Sequence, residues 1–174
     1  NRPEKTAETI DAEGWLHTGD VGRIGNDGAL MITGRVKDII ITAGGKNITP
    51  AEIESRMKFS PFISDAVVIG DKRKYLTALV MIDQENVEKY AQERQVPFSD
   101  FASLCAAEAV QALIREEIAE VNRAFARVEQ IKDFRLIDVL LTAEDEELTP
   151  TMKLKRGFVE TKHKALIDVM YSGA

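Results

Sequence analysis

The chain has 174 residues, 44% of them hydrophobic, a formal charge of -6 at pH 7 and a calculated pI near 5.1. That is enough apolar sequence for one ordinary domain, or one domain plus a piece of another, around a real core. Its acidity argues against a nucleic-acid backbone as partner, and no apolar run approaches the ~20 residues of a transmembrane segment.

The opening NRPEKTAETIDAEG begins with Asn1 rather than Met and shows no period. It reads as polar connecting chain, and the sequence is expected to be a fragment whose beginning is missing. GWLHTGDVGRI, the turn Asn26-Asp27-Gly28 and ALMITGR then predict short strands joined by a hairpin. VKDIIIT is a further β-branched run that ends at Gly44 and Gly45, where the backbone can bend or approach a ligand closely.

Thr49 as N-cap, Pro50 at the first helical position and Glu52 three residues after the cap predict a capping box and a helix to about Phe59. ISDAVVIG and YLTALVMID, separated by the charged turn DKRK, predict an antiparallel pair. Asp83 opens a helix over 83–94. Leu113, Ile118, Val121 and Phe125 lie at helical spacing within 112–126, a core stripe rather than a binding surface.

The single cysteine, Cys105, lies in the apolar-rich stretch FASLCAAEAV and reads as a small buried hydrophobe, which suits a reducing, cytoplasmic setting. KDFRLIDVLL predicts one more strand. The acidic run Glu144 to Glu147 leads into TPTMKLKR, and RGFVETKHKALIDVMY closes with a helical pattern. Helices interleaved with a small sheet give an α+β class, with a division near Arg35 to Asp38.

Three stretches carry polar chemistry. In HTGD, Asp20 offers acceptors for two hydroxyls of a vicinal diol such as a ribose, although taken alone an Asp in a tight turn is the better reading. In GRVKDIIITAGGKNITPAEIE, Arg35 is a forked donor, Lys37 and Asp38 are opposed charges, and Gly44 and Gly45 leave the backbone unshielded. In TPTMKLKR, an ammonium could bridge a carboxylate and a phosphate as charge shifts between them; the plain reading is a solvated basic corner balancing the acidic run. His17 and His163 are far apart with no ligand cluster, so no metal site is expected, and neither a P-loop nor a GxSxG elbow is present.

Taken in order, GWLHTGD, GRVKDIIITAGGKNITPAEIE and TPTMKLKR resemble the late motifs of the adenylate-forming superfamily, which includes acyl-CoA synthetases, peptide-synthetase adenylation domains and beetle luciferases. The wording EGWLHTGDVG and ELTPTMKLKR, with Met152 before Lys153, is most similar to bacterial long-chain fatty acyl-CoA synthetases. The resemblance implies that residues 1–36 are the tail of a large N-terminal adenylation domain and that 37–174 are the hinge and mobile C-terminal domain. That domain would hold a hairpin and a short mixed sheet flanked by helices.

It further implies a reaction in two halves, in which a fatty acid, ATP and Mg2+ give an acyl-adenylate, and coenzyme A then displaces AMP. Asp20 would bind the ribose hydroxyls, with Arg35 beside it and Lys46 near the phosphates. Lys37 and Asp38 would form the hinge, Gly44 and Gly45 would border the coenzyme A channel, and Lys153 would be the catalytic residue of adenylation. Lys155 and Arg156 keep the reading of solvated charges. A peptide-synthetase adenylation domain, an aryl-CoA ligase and a non-catalytic module of the same fold stay open, and peripheral membrane association is compatible with the sequence.

Overall fold

The computed structural model describes residues 2–139, 144–149 and 154–172. Its first element corrects an expectation: helix α1 (Pro3–Thr9) occupies what reads as connecting chain. Pro3 sets the backbone for the first turn, and the hydroxyls of Thr6 and Thr9 donate to carbonyls one turn back. None of its residues is buried, so it has no apolar stripe for periodicity to reveal.

Strands β1 (Asp20–Ile24) and β2 (Leu30–Arg35) form the expected antiparallel hairpin, with Asp20 opposite Arg35. Gly28 in the connecting turn has φ +79°, a conformation that costs glycine nothing. A single turn of 3-10 helix over Val36–Asp38 then leads into β3 (Ile40–Ile41), which pairs with β4 (Asn47–Ile48).

Helix α2 (Pro50–Met57) begins where expected, but the capping box does not form, because the Thr49 side chain accepts no cap hydrogen bond. The Thr49 methyl lies against Gly34 instead, where an added Cβ would come within 2.6 Å of it. The box belongs to Asp100 and Ser103, which open α4 (Phe101–Ala106) reciprocally.

The central sheet has the order β5–β6–β7, with β5 (Ile63–Ile69) antiparallel to β6 (Leu76–Ile82) and β7 (Ile131–Leu136) parallel to it. A parallel neighbour requires a crossover. Helices α3 (Gln84–Glu93), α4 and α5 (Glu108–Asn122) supply it, with Asp83 capping α3 through the Asn86 N–H at 3.0 Å. Helix α5 lies about four residues upstream of the expected 112–126. In its last turn the Asn122 side chain accepts from Ile131 N–H and donates to Ile131 O, which ties the helix end to β7.

The sheet is buried on both faces, so β5 and β6 read as nearly continuous apolar runs rather than alternating ones. Ala66, Val68, Ala78 and Val80 pack with Ile53 and Met57 of α2 and with Val110, Ile114 and Ile118 of α5. Val67, Ile69 and Leu79 pack on the opposite face with Ile137, Leu148, Val159, Ile167 and Met170. Those last three come from α6 (Arg156–Lys162) and α7 (Lys164–Tyr171), which divide the expected single helical pattern at His163. No glycine or proline marks that break in the sequence.

Cys105 is buried, as its surroundings in the sequence imply, and burial pushes its thiol up to about 12. It remains protonated and unreactive at neutral pH.

Candidate functional site

The hairpin register places Asp20 and Arg35 side by side. Arg35 Nε donates to Asp20 Oδ1 at 3.0 Å, and both side chains remain partly exposed. The HTGD turn aims the carboxylate: Gly19 takes φ +74°, and the Thr18 hydroxyl accepts the Asp20 N–H at 3.1 Å. Immediately after the pair, Val36 N–H donates to Gly19 O at 2.9 Å. One carboxylate oxygen is thereby oriented by a guanidinium, and the side chain borders an open surface.

That surface is a cleft of about 360 Å³ between the hairpin and α2, lined by Asp20, Thr33 and Arg35 on one side and by Ala51, Glu52 and Ser55 on the other. A second cleft, of about 580 Å³, includes Arg35, Asp38, Ser55 and Lys58 together with Thr149, Leu154 and Arg156. Arg35 therefore borders both, and the 3-10 turn that carries Lys37 and Asp38 lies beside the second. Lys37 is exposed and Asp38 partly buried.

Gly44, Gly45 and Lys46 form the turn between β3 and β4. The turn is held from beneath by Thr42, a buried residue whose hydroxyl accepts the Lys46 N–H at 3.2 Å. Gly45 has φ +74°, so the turn requires glycine there for conformational reasons alone. Gly44 differs: a Cβ built on it meets nothing nearer than Thr42 Oγ1 at 4.0 Å. The Lys46 side chain is exposed, and among the described residues no hydrogen bond or ion pair joins this turn to Asp20 or Arg35.

Lys153 lies outside the described residues, as do Pro150, Thr151 and Met152. The chain on either side of them is well tied. Leu148 and Leu154 form an antiparallel bridge, and Lys155 N–H donates to Glu147 O at 2.7 Å. Leu154 N–H donates to Asp65 Oδ2 at 3.0 Å.

Lys155 fits the expected solvated charge, with its ammonium on Glu146 O at 3.0 Å. Arg156 does not. Its guanidinium pairs with Glu54 and donates to Val68 O, and the two side chains are only 22% and 17% exposed. Arg156 begins α6 directly over β5, where packing removes it from water and a carboxylate has to answer its charge. Glu147 departs from the acidic run in the same way: it is buried, and a hydrogen bond from Lys162 holds its carboxyl below the usual range.

Asp65 and Glu54 are thus polar residues that sequence patterning did not single out, and Arg156 is one that it misread as solvated. The signal was faint. Asp65 interrupts an otherwise apolar strand, and Glu54 is the last residue of the PAEIE motif.

The family model described as AMP-binding enzyme C-terminal domain matches residues 37–174. The fadD11 protein of Mycobacterium tuberculosis is 44% identical over 171 residues, 98% of this chain and 30% of that protein. Long-chain-fatty-acid–CoA ligase FadD15 of Mycobacterium tuberculosis is 38% identical over 172 residues, again 98% of this chain and 29% of that protein. The crystal structure of the adenylation domain of a carboxylate reductase from Mycobacterium chelonae superposes with a TM-score of 0.78 at 26% identity, covering 99% of this chain and 25% of that one. The chain therefore spans under a third of the length of these relatives.

Proposed function

Since the chain belongs to the family of AMP-binding enzyme C-terminal domains, we propose that it is the C-terminal part of an ATP-dependent long-chain fatty acid:CoA ligase. In the first half-reaction a fatty-acid carboxylate oxygen attacks the α-phosphorus of ATP and the bond to pyrophosphate breaks. In the second, the coenzyme A sulfur attacks the acyl carbon, its proton is lost and AMP departs. The relative named as a long-chain-fatty-acid–CoA ligase supports this choice of substrate.

The observation that carries the reading is the Asp20–Arg35 pair. A partly exposed carboxylate with one oxygen held by a guanidinium keeps lone pairs enough to accept from both hydroxyls of a ribose. Asp20→Ala in the full-length enzyme is expected to raise the KM for ATP by about tenfold to a hundredfold, the equivalent of losing hydrogen bonds to a charged group. Unchanged ATP dependence in a folded variant would overturn the ribose role.

Lys153 is assigned to adenylation, Lys46 to the phosphates, Lys37 and Asp38 to the hinge, and Gly44 and Gly45 to the coenzyme A channel. Mg2+ would enter with ATP and neutralise phosphate charge. Among the described residues no group of three or more His, Cys, Asp or Glu could hold a metal ion by itself.

Residues 1–36 are read as the tail of a larger domain. Trp15 is 70% and Ile24 76% exposed, and Leu16, Leu30 and Ile32 are exposed as well, far more apolar surface than a two-stranded hairpin keeps in water. The start of the family match at residue 37 supports the division. These 174 residues alone are accordingly expected to give no fatty-acid-dependent pyrophosphate exchange. Robust exchange would show that the rest of the active site is not needed.

Among the described residues no helix is long and apolar enough to cross a membrane. A peripheral association and a cytoplasmic location remain part of the proposal.

A further inference from the structure

Asp65 is an anomaly in its strand. It is 6% exposed, it lies in a strand otherwise filled by Ala66, Val67, Val68 and Ile69, and burying a carboxylate there is costly unless it is partnered. It is fully partnered. Oδ1 accepts the Ala66 N–H at 3.0 Å and faces Lys58 Nζ at 3.2 Å, while Oδ2 accepts the Leu154 N–H at 3.0 Å.

The strand is shaped to place it. A bulge between Ile63 and Asp65 sets Ile63 opposite Ile82 and Asp65 opposite Met81, so two residues of β5 span one of β6. The extra residue, Ser64, closes the irregularity by donating to Met81 O at 2.9 Å. Without the bulge, alternation would put Ile63 and Asp65 on the same face. With it, Ile63 joins the core beneath α2 and α5, and Asp65 turns to the face of Val67 and Ile69, where the chain around Leu148 and Leu154 packs.

One oxygen, Oδ1, serves the strand and its neighbour, through the Ala66 N–H and Lys58. The other, Oδ2, is a fixed acceptor for a backbone N–H 89 positions away, that of the residue directly after Lys153.

We propose that Asp65 is a positioning residue for adenylation, holding the backbone at Leu154 and thereby setting where the Lys153 amine is presented. This rests on the reading of Lys153 as the adenylation residue. Glu54 secures the next point along the chain by pairing with Arg156, and the same Glu54 oxygen accepts the Val68 N–H at 2.8 Å. Two carboxylates, one from β5 and one from α2, thus fix residues 154 and 156. A displacement of about 1 Å at a reacting group can cost on the order of 10² in rate, so an anchor one residue away has leverage.

The test uses the full-length enzyme and measures the two half-reactions separately: pyrophosphate exchange for adenylation, and thioester formation from supplied acyl-adenylate. Asp65→Ala is expected to slow exchange by about tenfold to a hundredfold and to leave thioester formation within about twofold. Asp65→Asn keeps an oxygen for the Leu154 N–H and should recover most of the lost exchange rate. Equal slowing of both half-reactions, slowing of neither, or failure of Asp65→Asn to recover exchange would overturn the proposal. Should the alanine variant not fold, Asp65→Thr, strand-compatible and one atom too short, is read by the same criteria. Lys153→Ala runs alongside. If it leaves adenylation intact, the reading of Lys153 falls, whereas loss of adenylation there with none in the Asp65 variants removes only the anchoring role.

Discussion

Replacing Lys153 with alanine in the full-length enzyme is expected to abolish adenylation while leaving thioester formation from supplied acyl-adenylate largely intact. Adenylation brings a carboxylate against a polyphosphate, two anions that repel, and passes through a pentacoordinate phosphorus on which negative charge accumulates. An ammonium held between them assists both the approach and the charge build-up, and removing such a contact commonly costs about 10² or more in rate, roughly 3 kcal/mol. The second half-reaction moves charge differently, since a thiol attacks and AMP leaves, and nothing in it calls for that ammonium. Pyrophosphate exchange and single-turnover thioester formation measure the two separately, and equal loss of both would refute the assignment.

Gly44→Leu should show the opposite order, with thioester formation lost first and adenylation retained. The structure makes this substitution informative. Around Gly44 there is open space, with Thr42 Oγ1 at 4.0 Å the nearest atom to an added Cβ, and its φ is not in the left-handed region. A Cβ there meets no obstacle inside the domain, so the effect of the substitution is expected where a ligand passes rather than in stability. Gly45→Leu would be a poor substitute, because φ +74° strains any side chain whatever lies nearby. Normal coenzyme A turnover in a folded Gly44→Leu variant would count against the channel.

Chemistry that depends on residue type at a fixed spacing was legible in the chain. The HTGD turn, the Gly44-Gly45 pair and the Asp83 cap depend on neighbours a few residues away, and the structure forms each locally. The paired apolar runs of β5 and β6 were equally plain, because a sheet covered on both sides needs unbroken apolar sequence. Helix α1 escaped notice because it buries nothing, and the Thr49 cap was misjudged because a methyl contact with Gly34 took the place of a hydrogen bond.

The residues that hold the site together behaved otherwise. Arg156 and Glu54 stand 102 positions apart, and Asp65 and Leu154 stand 89 apart. By charge alone Arg156 belongs with Lys155 on a solvated corner, and only the seating of α6 over β5 separates them. Local order is a property of short stretches, and the sequence by itself determined it. Which charges leave water is a property of packing between distant segments. The tertiary structure alone decided that Arg156 is paired and that a bulge at Ser64 turns Asp65 toward the backbone beside Lys153.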